Sequence, residues 1–203
     1  MIDANKIDLK KEIEELKKLS GKERGQDIKY LINYTRTKYG NDGVNKVEQE
    51  LINNSYILPD IDKIDDMEWI SESIPTIYML VMVKVFNMKE SDLFEMGINA
   101  IKFNTAIKLF IQFFITIEMT IKKTCQKWNK YYSNGEMKMI KYSTEKKECI
   151  LGLYNFKKHP ITCIYLMGAL SGLFEMSVGK KVRVKEVKCV FKGDSYHEFV
   201  FNW

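Results

Sequence analysis

Four side chains able to hold a metal, Cys163, Glu186, Cys189 and His197, fall within residues 163–203, a stretch otherwise rich in glycine, lysine and apolar residues. Two thiolates, a carboxylate and a neutral imidazole would leave Zn²⁺ with one negative charge in excess. The set is soft and suits tetrahedral binding, which disfavours calcium and magnesium. Four protein ligands leave no coordination position open, so such a zinc would be structural unless the carboxylate leaves. The spacing sets a condition: Glu186 and Cys189 are three residues apart, and in a regular strand they would face opposite ways. A bulge or bend between them is required. The competing reading takes Cys163 and Cys189 as ordinary buried thiols, Glu186 as solvated and His197 as a surface strand residue.

Little else in the chain is marked out for chemistry. Cys125 and Cys149 read as packed or free thiols, and His159, just before Pro160, as a helix cap or an exposed residue. There is no glycine-rich phosphate loop, nucleophile elbow or paired-histidine motif. With two histidines in the sequence, acid–base catalysis would rest on carboxylates that no pattern singles out, so no catalytic residue is assigned and a non-enzymatic role is the first choice.

The elements that must position these residues can be read from periodicity and turn chemistry. Ile7, Ile13, Leu16 and Leu19 share a face of a charged N-terminal helix that stops near Ser20-Gly21. A helix over 26–39 ends at Gly40-Asn41-Asp42-Gly43, and another runs to about residue 53. Asp65-Asp66 are expected to cap a helix with Glu68 and Trp69 in its first turn, bent or restarted by Pro75. Ser91 begins a further helix, and 106–131 forms the longest one, apolar nearly all round in its first half. After Ser133-Asn134-Gly135 the period changes: Met137, Ile140 and Tyr142, then Ile150 to Tyr154, suggest two strands. Pro160 opens a helix that Gly179 closes near Val178. Val182, Val184 and Val187 lead through Lys192-Gly193-Asp194-Ser195 into Phe199 and Phe201, a second hairpin. Helices, hairpin, helix, hairpin predict an α+β fold: one antiparallel sheet of two hairpins with helices on one face. Residues 1–24 read as a helical appendage and 25–203 as a single domain.

Composition bounds the setting. A chain of 203 residues with 45% hydrophobic content can bury one core. The apolar stretches 74–86 and 106–117 are interrupted by Lys84 and Lys108 and are shorter than the roughly 18 residues of a membrane span. No signal core opens the sequence, so a cytoplasmic protein is expected. Residues 1–100 hold 14 basic against 19 acidic side chains, whereas 101–203 hold 18 against 8. The basic half forms no block of five or six like charges, so nucleic acid is not an expected partner.

The tail Cys163-x-Tyr165-x-x-Gly168-x-x-x-Gly172-x-x-Glu175-x-x-x-Gly179-Lys180-x-Val182-x-Val184-x-Glu186-x-x-Cys189-x-x-x-Gly193-Asp194-x-x-His197-x-Phe199 resembles the 4-vinyl reductase-type domain of prokaryotic small-molecule-binding proteins. The close match covers about residues 150–203. Upstream, Tyr39-Gly40-Asn41-Asp42 and the helix order fit, loosely, the wider superfamily of haem-nitric oxide-binding sensors and transport-complex scaffolds. The resemblance implies an α+β fold with an apolar cavity between helices and sheet, often in a homodimer, that binds or senses small apolar molecules. It also implies a zinc site near the cavity. Its ligands are a cysteine at the helix start, a glutamate and a cysteine on the next strand, and a cysteine after the Gly-Asp turn. The first three match Cys163, Glu186 and Cys189; His197 departs from the fourth, and imidazole is a common zinc ligand.

A haem would call for an axial histidine on the long helix, and 106–131 has none. The tyrosine-serine-arginine motif of the sensor relatives is also missing, the nearest stretch being Tyr154-Asn155-Phe156-Lys157-Lys158, so haem is not expected. Phe103, Ile107, Phe110, Phe114, Ile117 and Ile121 form a stripe that is either core or, with flexible methionines such as Met119 and Met167, the lining of an adaptable pocket. The first reading is therefore a sensor that binds a small hydrophobic molecule beside a structural zinc. The alternatives are a dimeric interaction scaffold with a filled core and an accessory role in tetrapyrrole metabolism.

Overall fold

A computed structural model describes residues 4–102 and 116–203 of the chain. They fall into two compact units, residues 1–92 and 93–203.

In the first unit, helix α1 (Leu9–Leu16) is capped by Asp8, whose carboxylate accepts from the Lys11 N–H at 3.2 Å, and buries Leu9, Ile13 and Leu16. Helix α2 (Gly25–Asn53) is interrupted at Gly40, where φ is 73° and ψ −178°. Only glycine adopts that backbone without strain, so the glycine run expected to end a helix does break this one. Helix α3 (Ser73–Val85) is the centre of the unit: Ile77, Tyr78, Leu80, Val81, Met82 and Val83 are all buried. Pro75 sits in its first turn, where no N–H is needed.

One expectation is corrected here. Strand β1 (Lys22–Arg24) pairs antiparallel with β2 (Trp69–Ser71), so Trp69 lies in a strand and Glu68 in the turn before it, not in a helix. The acidic residues that look like a helix cap close that turn instead. Asp65 accepts from the Met67 N–H at 2.9 Å, and the Glu68 carboxylate accepts from the Asp65 N–H at 3.1 Å.

The second unit holds a four-stranded antiparallel sheet in the order β3-β4-β6-β5, built from β3 (Glu136–Ser143), β4 (Glu148–Tyr154), β5 (Arg183–Lys188) and β6 (His197–Asn202). Its buried face, with Leu151, Leu153, Phe199 and Phe201, packs into one apolar cluster with Ile121 and Trp128 of α5 (Ile117–Tyr131) and Leu166 and Phe174 of α6 (Pro160–Val178). This is the α+β arrangement that the pattern of hairpins predicts. Among the described residues both edge strands of the sheet carry a bulge, between Met139 and Lys141 and between Glu186 and Lys188, which discourages further strand pairing.

Helix α6 is long and apolar enough to cross a membrane, with mean hydropathy 1.5, and 61% of that span is buried within the fold. It runs against α4 (Glu90–Lys102) at very close range. A Cβ on Gly168 would fall on the Phe94 carbonyl, and one on Gly97 on the Tyr165 carbonyl.

The end of α6 is tied down by charge. Glu175, 7% exposed, accepts from Lys102 Nζ at 2.5 Å and from the Val182 N–H at 3.4 Å. Burial raises the pKa of this carboxyl, but Lys102, the Val182 amide and Lys181 outweigh it and hold the carboxyl below its ordinary value of 4.5. A depressed folded-state value contributes stability above the unfolded pKa and loses it as pH falls through the folded one. Glu175→Gln is therefore expected to destabilise the protein by about 1–3 kcal/mol at pH 7 and by progressively less below pH 4.5. Parallel urea titrations at pH 7 and pH 3 measure this; an equal loss at both would refute it.

Candidate metal centre

Helix α6 begins where the sequence says it should. Pro160 occupies its first turn, and His159 caps it: Nδ1 accepts from the Ile161 N–H at 3.3 Å, and the His159 carbonyl accepts from Thr162 Oγ1 at 2.6 Å. That cap places Cys163 at the end of the first turn. Glu186 comes from β5. The register then slips, from Glu186 opposite Phe199 to Lys188 opposite Glu198, leaving Val187 as the extra residue. The slip is the bulge that the three-residue spacing requires, and it lets Cys189, just past the strand, share a site with Glu186. His197 opens β6.

The structure brings all four together. One ligand atom from each of Cys163, Glu186, Cys189 and His197 lies within 4.8 Å of the others. Cys163, Cys189 and His197 are buried at 5%, 4% and 2% exposure, and the Glu186 side chain is 10% exposed. His197 Nδ1 lies 2.9 Å from Glu186 Oε1 and 3.8 Å from Cys163 Sγ. Tetrahedral zinc with bonds of roughly 2.0–2.3 Å needs donor–donor edges of about 3.3–3.8 Å, so the cluster reaches that geometry by side-chain shifts of under about 1 Å.

Burial and neighbouring charge set the ionisation of the two thiols. Burial pushes the Cys163 thiol up, and Glu186 and Cys189 push it further. Cys189 is raised by burial against the Phe191 N–H, with Glu186 adding to the rise. Glu186 thus makes both thiols harder to ionise. A divalent metal reverses that balance, because thiols ionise on binding it.

The other sequence-predicted residues are placed differently. Phe103, Ile107, Phe110 and Phe114 lie outside the described residues. Met119 is 44% exposed on α5, and Met167 is partly buried against the apolar cluster of the second unit. A separate open cleft of about 610 Å³ lies in the first unit, lined among others by Ile32, Leu51, Ile52, Leu58, Arg36 and Glu48. Sequence reasoning gave no role to Asp194 or to the Phe156 carbonyl, both of which bind members of the cluster. Asp194 stands in the motif as a turn residue, and a carbonyl leaves no trace in side-chain patterns.

No protein-family model and no curated protein matches the chain. Solved structures do. An H-NOX protein from S. oneidensis, in its Fe(II)NO ligation state, superposes with TM-score 0.65 at 12% identity, covering 88% of this chain and 98% of that one. An oxygen-binding H-NOX domain related to soluble guanylate cyclases gives 0.59 at 17% identity, over 88% of this chain and 94% of that one. A third, solved to probe heme distortion in the H-NOX family, gives 0.60 at 18%, over 89% and 94%. The chain has the H-NOX fold.

This corrects the expectation against haem. It rested on the missing histidine in 106–131 and the missing tyrosine-serine-arginine motif, whereas the fold is shared with structures described by their Fe(II) ligation state and haem distortion. A histidine absent from one helix rules out one ligand geometry and not a cofactor, because a donor can come from another element. Of the two imidazoles, His197 does not fit as an axial ligand. Its ring is 2% exposed and both nitrogens are engaged, Nδ1 in the cluster and Nε2 with the Phe156 carbonyl at 3.0 Å. His159 is the other, and it caps α6.

Proposed function

We propose that the protein is a small-molecule-binding sensor domain on the H-NOX fold, with a structural zinc held by Cys163, Glu186, Cys189 and His197. One observation carries the zinc: four donors from α6, β5, the turn after it and β6 converge within 4.8 Å. His197 sharpens the point. Its Nε2 meets a carbonyl, which accepts only, so Nε2 carries a proton, and Nδ1 faces the Glu186 carboxylate at 2.9 Å. Two acceptors at that distance need a proton or a metal between them. The thiols beside them make metal the better fit, since a soft donor set binds zinc far better than a lone imidazole–carboxylate pair would.

The sensing part is supported by the fold alone. Gas ligation and haem are properties of the H-NOX structures named above; carried to this chain, they favour a cavity for a small ligand, tetrapyrroles included. The motif of residues 150–203 supports the 4-vinyl reductase-type assignment and, with it, a homodimer. Native mass spectrometry of protein purified without chelator tests these points together: about one zinc per chain in a dimeric mass is expected. Well under stoichiometric metal would sink the zinc, and a monomeric mass would sink the dimer.

Ligand binding has its own test. Haem, isoprenoids, fatty acids and small aromatics are titrated by thermal shift. At least one class is expected to stabilise the native state by about 2.7 kcal/mol at a hundred times its Kd. If none shifts the transition, the scaffold reading replaces the sensor.

A further inference from the structure

The donors of the cluster are themselves held by groups that bind no metal, and these contacts assign a job to Asp194. Its Oδ2 accepts from the Cys189 backbone N–H at 2.8 Å. The Cys189 carbonyl in turn accepts from the Lys192 N–H at 2.8 Å and the Asp194 N–H at 3.3 Å, and Gly193, at φ 98°, lets the chain reverse. Cys189 is thus gripped on both sides of its Cα by one six-residue turn, whose sole carboxylate is Asp194. On the other side of the site, the Phe156 carbonyl takes the Nε2 proton of His197 at 3.0 Å, and that ring is 2% exposed.

We propose that Asp194 and the Phe156 carbonyl are positioning groups for the zinc site: Asp194 fixes where the Cys189 thiolate stands, and the Phe156 carbonyl fixes His197 in the Nε2–H tautomer so that Nδ1 is the atom that binds metal. The inference rests on the zinc reading for its purpose, but its geometry is present without a metal. The two contacts act before binding. A turn held by a charge-assisted bond keeps a buried thiol aimed at the site instead of letting it sample solvent. A ring whose outer nitrogen is already committed cannot turn that nitrogen to the ion. Outer-shell contacts of this kind are worth roughly ten- to a hundredfold in metal affinity.

The test uses the full chain and two substitutions. Asp194→Ala is expected to weaken zinc binding about tenfold or more in a competition titration with a chromophoric chelator. Asp194→Asn keeps an acceptor oxygen and is expected to stay within about fivefold of the parent. In the reduced, metal-free protein, Asp194→Ala should speed alkylation of Cys189 by iodoacetamide while leaving Cys125 unchanged. Long-range ¹H–¹⁵N spectra should show His197 protonated on Nε2 both with and without zinc, with Nδ1 carrying the metal-bound shift. Equal losses for Ala and Asn, unchanged affinity for Ala, or zinc on Nε2 would overturn the proposal. If the parent protein takes up no zinc, the zinc reading fails on its own. The metal-free arms still decide the positioning: unchanged Cys189 alkylation in Asp194→Ala, or a proton on Nδ1 alone, refutes it.

Discussion

Stripping the proposed zinc with a chelator is expected to lower the melting temperature of the protein by on the order of 10 °C. A ligand present at about a thousand times its Kd stabilises the native state by about 4 kcal/mol, and a domain of this length loses about 2–4 °C per kcal/mol. The loss is large because the emptied site is a poor core. Cys163, Cys189 and His197 are buried, and the first two resist ionisation because burial and Glu186 raise their pKa values. The same fact sets a direction in pH. Binding must displace protons from two raised thiols, so zinc affinity should fall steeply as pH drops. Cys163→Ser should abolish both the bound zinc and the chelator response, whereas Cys125→Ser, outside the cluster, should keep both. Differential scanning calorimetry with and without chelator measures the shift. An unchanged transition in protein shown by elemental analysis to have lost its metal would remove the stabilising role.

The sheet was legible from residues 136–203 because each signal there is local and repeated. Val182 and Val184 lead into β5, Phe199 and Phe201 alternate along β6, Gly193-Asp194 supplies the turn, and Pro160 and Gly179 bracket α6. The strand pair of the first unit was not legible, for an equally local reason. A three-residue strand has no period to read, and Asp65, Asp66 and Glu68 are the same residue types that cap a helix; only the pairing of Arg24 with Trp69, far apart in sequence, decides between them. The metal cluster stands between these cases. Its four members could be chosen by type, and their spacing even demanded the bulge at Val187. Which nitrogen of His197 would face a bound ion depends on a carbonyl 41 residues away, and no pattern of side chains reports that. Haem shows the same limit from the other side. The search for one histidine on one helix asked the sequence about a ligand, when what the chain shares with H-NOX proteins at 12–18% identity is a fold.

Gly168→Ala is expected to cost about 3 kcal/mol, although alanine is the better helix former by about 1 kcal/mol. The added methyl would fall on the Phe94 carbonyl of α4 and near its Cα, which is backbone and cannot rotate aside, so the helices must part. Gly172→Ala is the matched control four residues along the same face. Its methyl would lie 3.0 Å from the Ile98 carbonyl oxygen, a contact that a few tenths of an ångström relieves, and the gain in propensity should nearly cancel the cost. Gly179→Ala separates space from backbone: nothing lies within 4 Å of its methyl, but φ is 70°, so it should lose about 1 kcal/mol through strain alone. Chemical denaturation orders the three, with Gly168 worst. A Gly168→Ala loss no larger than that of Gly172→Ala would mean that α4 and α6 are not in backbone contact. The effect should also reach the metal. Cys163 stands five residues before Gly168 on α6, while the other three donors lie on the chain from β5 to β6, so parting α6 from α4 displaces one donor against three. Zinc affinity is therefore expected to fall with stability in Gly168→Ala and to be kept in Gly179→Ala, whose strain sits at the far end of the helix.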